Sequence, residues 1–324
     1  MSRKPQDLAK QQSFSKLAYG VLILLWGLIV YINIKANNNQ TISRYHLSQN
    51  ELHEIFYLIS LPILLIWISI LYATLNIRRY SISITDSKES PGFRNIANGL
   101  FMLLVSLVVT TFLGGLQSIL SQNAADPSKV RTNFIIVSNY VAVVAALATY
   151  GFLLRGSQLL LRSIGKRLNL SKQMVPLILS FVVLTAAYLF LIHSNPTRQM
   201  SADQTINPTF GLSYWMIVLT VALPFIVSWL LGISALIGLY RYNTAVKGSV
   251  YRFLFRRLLT GMTIVIGLTI ILQLLTQLSN INDIKNVSTI LSIISVLYLI
   301  LIYTFFLIVQ GVKQLDKIET VSLE

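Results

Sequence analysis

Residues 61–80 read LPILLIWISILYATLNIRRY, and residues 223–242 read LPFIVSWLLGISALIGLYRY. Both stretches carry a proline at the second position and a tryptophan five residues later, and both end in an Arg-Tyr pair. The residues between are predominantly apolar. About 20 such residues are enough for a helix to cross a hydrocarbon core, because a helix rises about 1.5 Å per residue. The sequence therefore predicts a membrane-spanning helix that occurs twice.

The composition of the 324-residue chain is typical of a multi-pass membrane protein. Hydrophobic residues make up 54% of it and charged residues 11%, whereas about a quarter of the residues of a soluble domain are charged. The absence of cysteine from the sequence excludes a disulfide scaffold and zinc-thiolate sites. The high apolar content excludes a disordered chain.

Eight segments are long and apolar enough to span a membrane. They lie at about 17–35, 55–77, 97–120, 133–154, 174–193, 212–239, 258–279 and 288–311. Their continuous Leu, Ile and Val runs favour helices over the strands of a membrane barrel, which alternate over about ten residues. The predicted fold class is therefore all-α, with eight transmembrane helices.

The basic residues between the spans predict the orientation. Loops on the side of the N-terminus hold 20 of the 26 Lys and Arg residues, and loops on the other side hold 6. By the positive-inside rule, both termini are predicted to be cytoplasmic, in the cytoplasmic (inner) membrane. The net charge of +15 is interpreted as topology rather than nucleic-acid binding, because the basic residues are spread over short loops.

An internal repeat relates the two halves of the chain. Residues 61–100 align without a gap on residues 223–262, at an offset of 162, and ten of the forty positions are identical. Besides the proline, the tryptophan and the Arg-Tyr pair, the matches include a Phe-Arg pair at the start of the next span. Because each half has four spans, an even number, both halves are predicted to have the same orientation in the membrane. They are therefore predicted to be related by an axis near the membrane normal.

The repeat divides the chain into five predicted segments. They are a cytoplasmic tail (1–16), a first four-helix repeat (17–154), a basic linker (155–173), a second four-helix repeat (174–311) and a cytoplasmic tail (312–324). The linker combines basic and apolar residues without an acidic one. This composition is typical of an amphipathic helix that lies on anionic headgroups.

Uncharged polar residues inside the spans are candidates for intramembrane contacts. Asn139 and Gln273 need hydrogen-bond partners in hydrocarbon and are expected to face other helices, as are Ser228 and Gln117. We interpret these residues as contacts between helices. The alternative is a polar lining for a small neutral solute.

Pro62 and Pro224 occupy matching positions near the start of spans two and six. Each removes an intrahelical hydrogen bond and is predicted to bend its helix. The bends either shape helix packing or, in the functional alternative, break a pair of helices around a central site.

Basic residues at the predicted cytoplasmic face are candidates for contact with anionic lipid headgroups or with an acidic protein partner. They are Arg79, Arg94, Arg162, Lys166, Arg167, Arg241, Arg256 and Arg257. The simpler interpretation is that these residues fix the topology and bind anionic lipid. A docking surface for a partner is the alternative.

The sequence predicts no catalytic residue, no cofactor and no metal. Its span cores lack ionisable residues, which proton relays and most ion-coupled transporters need, and it contains no phosphate loop, nucleophile elbow or His-Glu-x-x-His pattern. His46, Glu51, His53 and Glu54 form a cluster with metal-ligand atoms. Since Ser48 and Glu51 fit a capping box for span two, we interpret this cluster as a helix cap and loop.

Taken together, these patterns predict a non-enzymatic integral membrane protein that acts as a structural or accessory subunit, with a protein partner or a second copy of itself. The alternative is a permease or channel for a small neutral or lipid-like solute. Its path would lie near the pseudo-twofold axis, between the prolines of spans two and six.

Overall fold

The computed structural model describes residues 3–37, 49–85, 87–122, 127–166, 178–179, 182–183, 205–207, 212–213, 223–246, 249–278 and 284–321. These residues hold seven helices: α1 (Arg3–Asn37), α2 (Gln49–Ser83), α3 (Ser90–Gln122), α4 (Pro127–Ser163), α5 (Leu223–Ala245), α6 (Ser249–Leu278) and α7 (Ile284–Val321). Two short strands, β1 (Thr205–Asn207) and β2 (Leu212–Ser213), pair antiparallel between α4 and α5. The predicted all-α class is confirmed.

Six of the described helices are long and apolar enough to cross a membrane. The spans lie at Ser15–Ile32, Ser60–Ser83, Ser90–Gln117, Val137–Ser163, Leu223–Ala245 and Val296–Leu315. By helix length and hydropathy, the chain is therefore a multi-pass membrane protein. Predicted span seven (258–279) falls largely within α6. Predicted span five (174–193) lies outside the described residues except for 178–179 and 182–183, so a total of eight spans stays a prediction.

Several helices extend beyond the predicted spans. α1 begins at Arg3 and includes most of the predicted tail at 1–16. α7 continues to Val321, through most of the predicted tail at 312–324. α4 continues to Ser163, so the first half of the predicted linker is part of the fourth helix. The thickness of the hydrocarbon core sets only the length of the apolar segment. The helix itself continues beyond the hydrocarbon until a capping residue or a turn ends it.

A glycine cap ends α4. Gly165 has a φ of +73°, a left-handed conformation that favours glycine. Its N–H donates to the carbonyl of Arg162 (3.0 Å), and the N–H of Lys166 donates to the carbonyl of Leu161 (2.9 Å). These two bonds form a Schellman motif. Leu161 is buried within the protein, and residues 167–173 of the linker lie outside the described residues.

The predicted start of span six is wrong. Leu212 and Ser213, at the start of the predicted segment 212–239, pair as β2 with β1, with Thr205 opposite Ser213. Pro208 and Gly211 stand between the two strands in the sequence, and both are residues that favour turns. Hydropathy assigned Leu212 to the span because it does not take these turn residues into account.

The helices pack in a pattern that crosses between the two sequence halves. Within the halves, α3 packs along α4, α2 along α3, α6 along α7 and α5 along α6, while α1 lies against α2 and α3. Across the halves, α4 packs against α5, and α7 packs against α2. One hydrophobic core includes residues from all seven described helices. Large apolar side chains also remain exposed on most of these helices, including α1 and α7, as expected for a surface that faces lipid.

The two prolines occupy different positions in the described helices. Pro62 lies inside α2, where it removes an intrahelical bond. Pro224 lies in the first turn of α5 as described, where a helix tolerates proline because the first N–H groups have no intrahelical acceptor. Residues 214–222, which precede α5, lie outside the described residues.

Candidate functional site

Four buried aromatic rings form a row between the two halves of the chain. Tyr80 of α2 meets Phe93 of α3 edge to face, with ring centroids 4.9 Å apart. Phe93 meets Phe255 of α6 at 6.4 Å, and Phe255 meets Tyr242 of α5 at 4.9 Å. Edge-to-face pairs of this kind contribute about 0.5–1.5 kcal/mol each beyond their buried area. The contact of Phe93 with Phe255 thus joins the halves through aromatic rings.

The local sequence explains why these rings point inward. Tyr80 follows Arg79 at the end of α2, and Phe93 precedes Arg94 near the start of α3. Neighbouring residues on a helix point about 100° apart. Burying the aromatic ring therefore leaves the adjacent arginine outside, and both Arg79 and Arg94 are exposed. The Arg-Tyr and Phe-Arg pairs of the first half thus place a buried ring beside an exposed cation.

A hydrogen bond between a carboxylate and a phenol joins the halves at one end of this row. The hydroxyl of Tyr242 donates to Oε1 of Glu89, at 2.5 Å. Glu89 lies in the turn between α2 and α3, and its N–H donates to Oγ of Ser87 (3.0 Å). Ser90 fixes the same turn by donating from Oγ to the carbonyl of Ser81 (2.7 Å). Among the described side chains, Glu89 is the one carboxylate, and it contacts the other half of the chain.

This hydrogen bond is expected to couple the stabilities of its two residues. A hydrogen bond to a charged group contributes about 1.5–3 kcal/mol, so we expect Y242F and E89Q each to lower the free energy of unfolding. The double variant should lose less than the sum of the two, and a denaturant titration in mild detergent measures the difference. Strictly additive losses would show that the bond does not join the halves.

Glycines allow close helix contacts at matching positions. A Cβ on Gly99 would lie 2.9 Å from the side chain of Leu153 and 3.0 Å from the carbonyl oxygen of Thr149. A Cβ on Gly261 would meet Ile308 more closely still, and the carbonyl oxygen of Thr304 at 3.4 Å. The contact of α3 with α4 thus resembles that of α6 with α7.

The predicted intramembrane polar residues lie on four different helices. Ser228 is fully buried in α5, but its hydroxyl donates to the carbonyl of Phe225 within the same helix (2.7 Å). Asn139 of α4 and Gln117 of α3 are half-buried. Gln273 lies on α6, and its side chain is outside the described residues.

Sequence reasoning missed a polar contact between the halves within the membrane. The hydroxyl of Tyr150 on α4 and Oγ1 of Thr269 on α6 are 2.8 Å apart. The single proton of Thr269 is directed at the carbonyl oxygens of Val265 and Ile266 (both 2.9 Å), so Tyr150 donates to Thr269. Neither residue lies in the aligned stretches 61–100 and 223–262, and no pattern in the sequence indicates that the two side chains meet.

The described residues of the predicted basic set differ in their burial and in their contacts. Arg94, Arg162 and Lys166 are exposed, Arg241 is half-buried, and Arg167 lies outside the described residues. Arg257 donates from Nη1 to Oε1 of Gln314 on α7 (3.0 Å). Arg79 and Arg256 each line a pocket. Arg257 thus has a hydrogen-bond partner within the chain, whereas Arg79 and Arg256 face a pocket.

The pocket beside Arg79 lies between α1, α2 and α7 and has a volume of about 180 Å³. Lys313 also lines it and donates from Nζ to the hydroxyl of Tyr72 (2.7 Å). This lysine is thus engaged by the chain itself.

The predicted metal-ligand cluster of His46, Glu51, His53 and Glu54 lies outside the described side chains. A comparison of the chain with models of protein families found no match, and neither curated proteins nor solved structures gave one. The functional assignment therefore rests on the contacts of the chain itself.

Proposed function

We propose that the protein is a non-enzymatic structural or accessory subunit of the cytoplasmic membrane, built from two tandem four-helix repeats in parallel orientation. The observation that carries this proposal is the row of four buried rings between the halves. Phe93 and Phe255 are both fully buried at its centre. A solute path along this contact would require space or polar groups where these rings pack, so the contact favours a structural role over a permease.

Equivalent burial supports the proposed repeat. Trp67 and Trp229, Ala73 and Ala235, and Tyr80 and Tyr242 are pairs at the sequence offset of 162, and all six residues are buried. The helix contacts follow the same relation, since the last helix of each half packs on the second helix of the other half. Such reciprocal contacts are the pattern of a twofold interface.

Thiol labelling tests the orientation and the number of spans. The chain has no cysteine, so a single cysteine at Ser87 or at Ser249 can be labelled without background. If span five crosses the membrane, four spans separate these residues, and S87C and S249C are expected to react from the same, cytoplasmic side in inverted membrane vesicles. S128C is the control and should react only in right-side-out vesicles.

A result with S87C and S249C on opposite sides would mean that three spans separate them. Span five would then be absent, and the parallel orientation of the repeats would be wrong. Labelling of S128C from the cytoplasmic side would instead overturn the predicted orientation of the first half.

Native mass spectrometry tests the proposed function. The full chain, extracted in mild detergent from its own membrane, is expected to carry a stoichiometric protein partner or a second copy. A chain that stays monomeric, and whose reconstituted vesicles take up glycerol faster than empty vesicles, would overturn the proposal and favour the permease.

A further inference from the structure

A pocket lies between α5 and α6 in the second half of the chain. Its volume is about 650 Å³, within the range of about 300–1,000 Å³ that small-molecule sites occupy. The last turns of α5 contribute Asn243 and Thr244, and α6 contributes Arg252, Arg256 and Thr260. These residues lie at the end of the bundle where the basic loops are, which is the predicted cytoplasmic boundary.

Two arginines give the pocket a positive charge. Arg252 and Arg256 are four residues apart on α6, so their side chains share one face of the helix. Both are exposed, and none of the described residues that line the pocket is acidic. Like charges at this spacing destabilise a helix in the absence of a counterion. An anion bound between the two guanidinium groups removes this repulsion and accepts several of their N–H groups.

A buried amide at the same pocket needs a partner. Asn243 is 6% exposed, and its Oδ1 has no hydrogen-bond partner in the described part of the chain. A buried amide oxygen is costly to leave unpaired. Because Oδ1 itself has almost no accessible surface, the amide would have to rotate to meet a ligand hydroxyl in the pocket.

The lining changes from charged to apolar toward the membrane centre. Beyond Arg256 along α6, Leu259 and Ile264 supply apolar surface, and Thr260 and Thr263 supply hydroxyls. The proton of Thr263 already binds the carbonyl of Leu259 (2.9 Å), so its oxygen can accept only from a headgroup hydroxyl and not from the esterified glycerol. The pocket is thus charged at its outer end and holds hydroxyl and apolar groups further in, as a phospholipid at the membrane boundary holds its phosphate outside its ester and acyl groups.

We propose that this pocket binds one anionic phospholipid, with its phosphodiester between Arg252 and Arg256 and a hydroxylated headgroup at Asn243. The acyl chains run past Leu259 and Ile264. The chemistry shared with other ligands is that of a phosphate oxygen. The apolar inner lining and the position at the membrane boundary favour a lipid over a soluble phosphate. The site uses residues of the second half alone, so it does not depend on the proposed accessory function.

The aligned positions of the first half predict a single site per chain. In the alignment at an offset of 162, Ser90 corresponds to Arg252, and Ser81 corresponds to Asn243. The hydroxyl of Ser81 is paired with the carbonyl of Arg78 (2.8 Å), and Ser90 holds the turn described above. The first half therefore lacks both the arginine pair and the unpaired amide.

Lipid titration of the full, delipidated chain tests the proposal by native mass spectrometry. The wild type is expected to retain one phosphatidylglycerol per chain, at least tenfold more tightly than phosphatidylcholine. Loss of one guanidinium contact in R252Q or R256Q should weaken retention about tenfold, since a factor of ten corresponds to about one charge-assisted hydrogen bond. The matched control is R94Q, an exposed arginine at the position aligned with Arg256, and it should leave retention unchanged.

Three further measurements keep the outcomes distinct. N243S introduces the residue of the first half without changing charge and should also weaken retention, while R252K, which keeps the charge, should lose less than R252Q. Equal retention by the wild type and by R252Q or R256Q would overturn the site. Displacement of the lipid by millimolar inorganic phosphate, with no preference between the two lipids, would overturn the lipid assignment in favour of a soluble phosphate.

Discussion

The substitution of Gly156 by alanine is expected to destabilise the folded protein by about 1–3 kcal/mol, the usual cost of forcing extra carbon into a packed interior. Gly156 lies on α4, where a Cβ would stand 2.9 Å from the carbonyl oxygen of Gly92 and 3.1 Å from the backbone nitrogen of Ile96, both on α3. Backbone atoms cannot rotate away as a side chain can. The α3–α4 pair must therefore separate, and this pair forms the most extensive helix contact in the described part of the chain.

Gly151 provides the matched control for this substitution. It lies on the same helix, and a Cβ there would meet nothing within 4 Å. Alanine favours a helix over glycine by up to about 1 kcal/mol, so G151A should leave stability unchanged or raise it slightly. Thermal unfolding in mild detergent, followed by size-exclusion chromatography, compares the variants. Equal stability of G156A and G151A would show that α3 and α4 do not approach as closely as the structure shows.

Truncation of either central ring of the aromatic row is expected to cost about 3–5 kcal/mol, the usual range for a buried phenylalanine replaced by alanine. Phe93 and Phe255 are each completely buried and contact each other. If the two halves are related by a twofold axis, F93A and F255A should lower stability by similar amounts. The double variant should lose less than the sum, because the two rings share a contact that can be lost only once.

Phe101 is the control for the ring truncations. It lies on α3, as Phe93 does, but its side chain is 44% exposed, so F101A should change stability by no more than about 0.5 kcal/mol. Denaturant titration in mild detergent measures all four variants. A much larger effect of F93A than of F255A would contradict an equivalent role for the two halves, and strict additivity would contradict the contact between the rings.

Much of the architecture follows from local sequence signals. Hydropathy locates six spans that the structure also has, because an apolar run of sufficient length determines a helix in lipid without reference to other segments. The Arg-Tyr pairs likewise predict a buried ring beside an arginine, which is exposed at Arg79 and half-buried at Arg241. The limits of the helices were less predictable, since their ends depend on caps such as Gly165 and not on apolar length.

The contacts between distant segments could not be predicted from the sequence. Glu89 lies in a turn, and its partner Tyr242 is fixed only when α5 packs beside the α2–α3 turn. The lipid pocket depends in the same way on the end of α5 approaching the charged face of α6. Arg256 was identified as a candidate for lipid contact, but Asn243 was missed because a buried, unpaired amide gives no signal in a linear sequence.

The crossing of helices between the halves has a consequence for biosynthesis. α2 packs against α7, and α7 follows all the other described helices in the chain. During translation, α2 therefore enters the bilayer long before its partner is made, and the surface that α7 later covers faces lipid or the insertion machinery in the meantime. The N-terminal half cannot reach its final packing as it emerges. Folding is completed only when the last of these helices has been inserted.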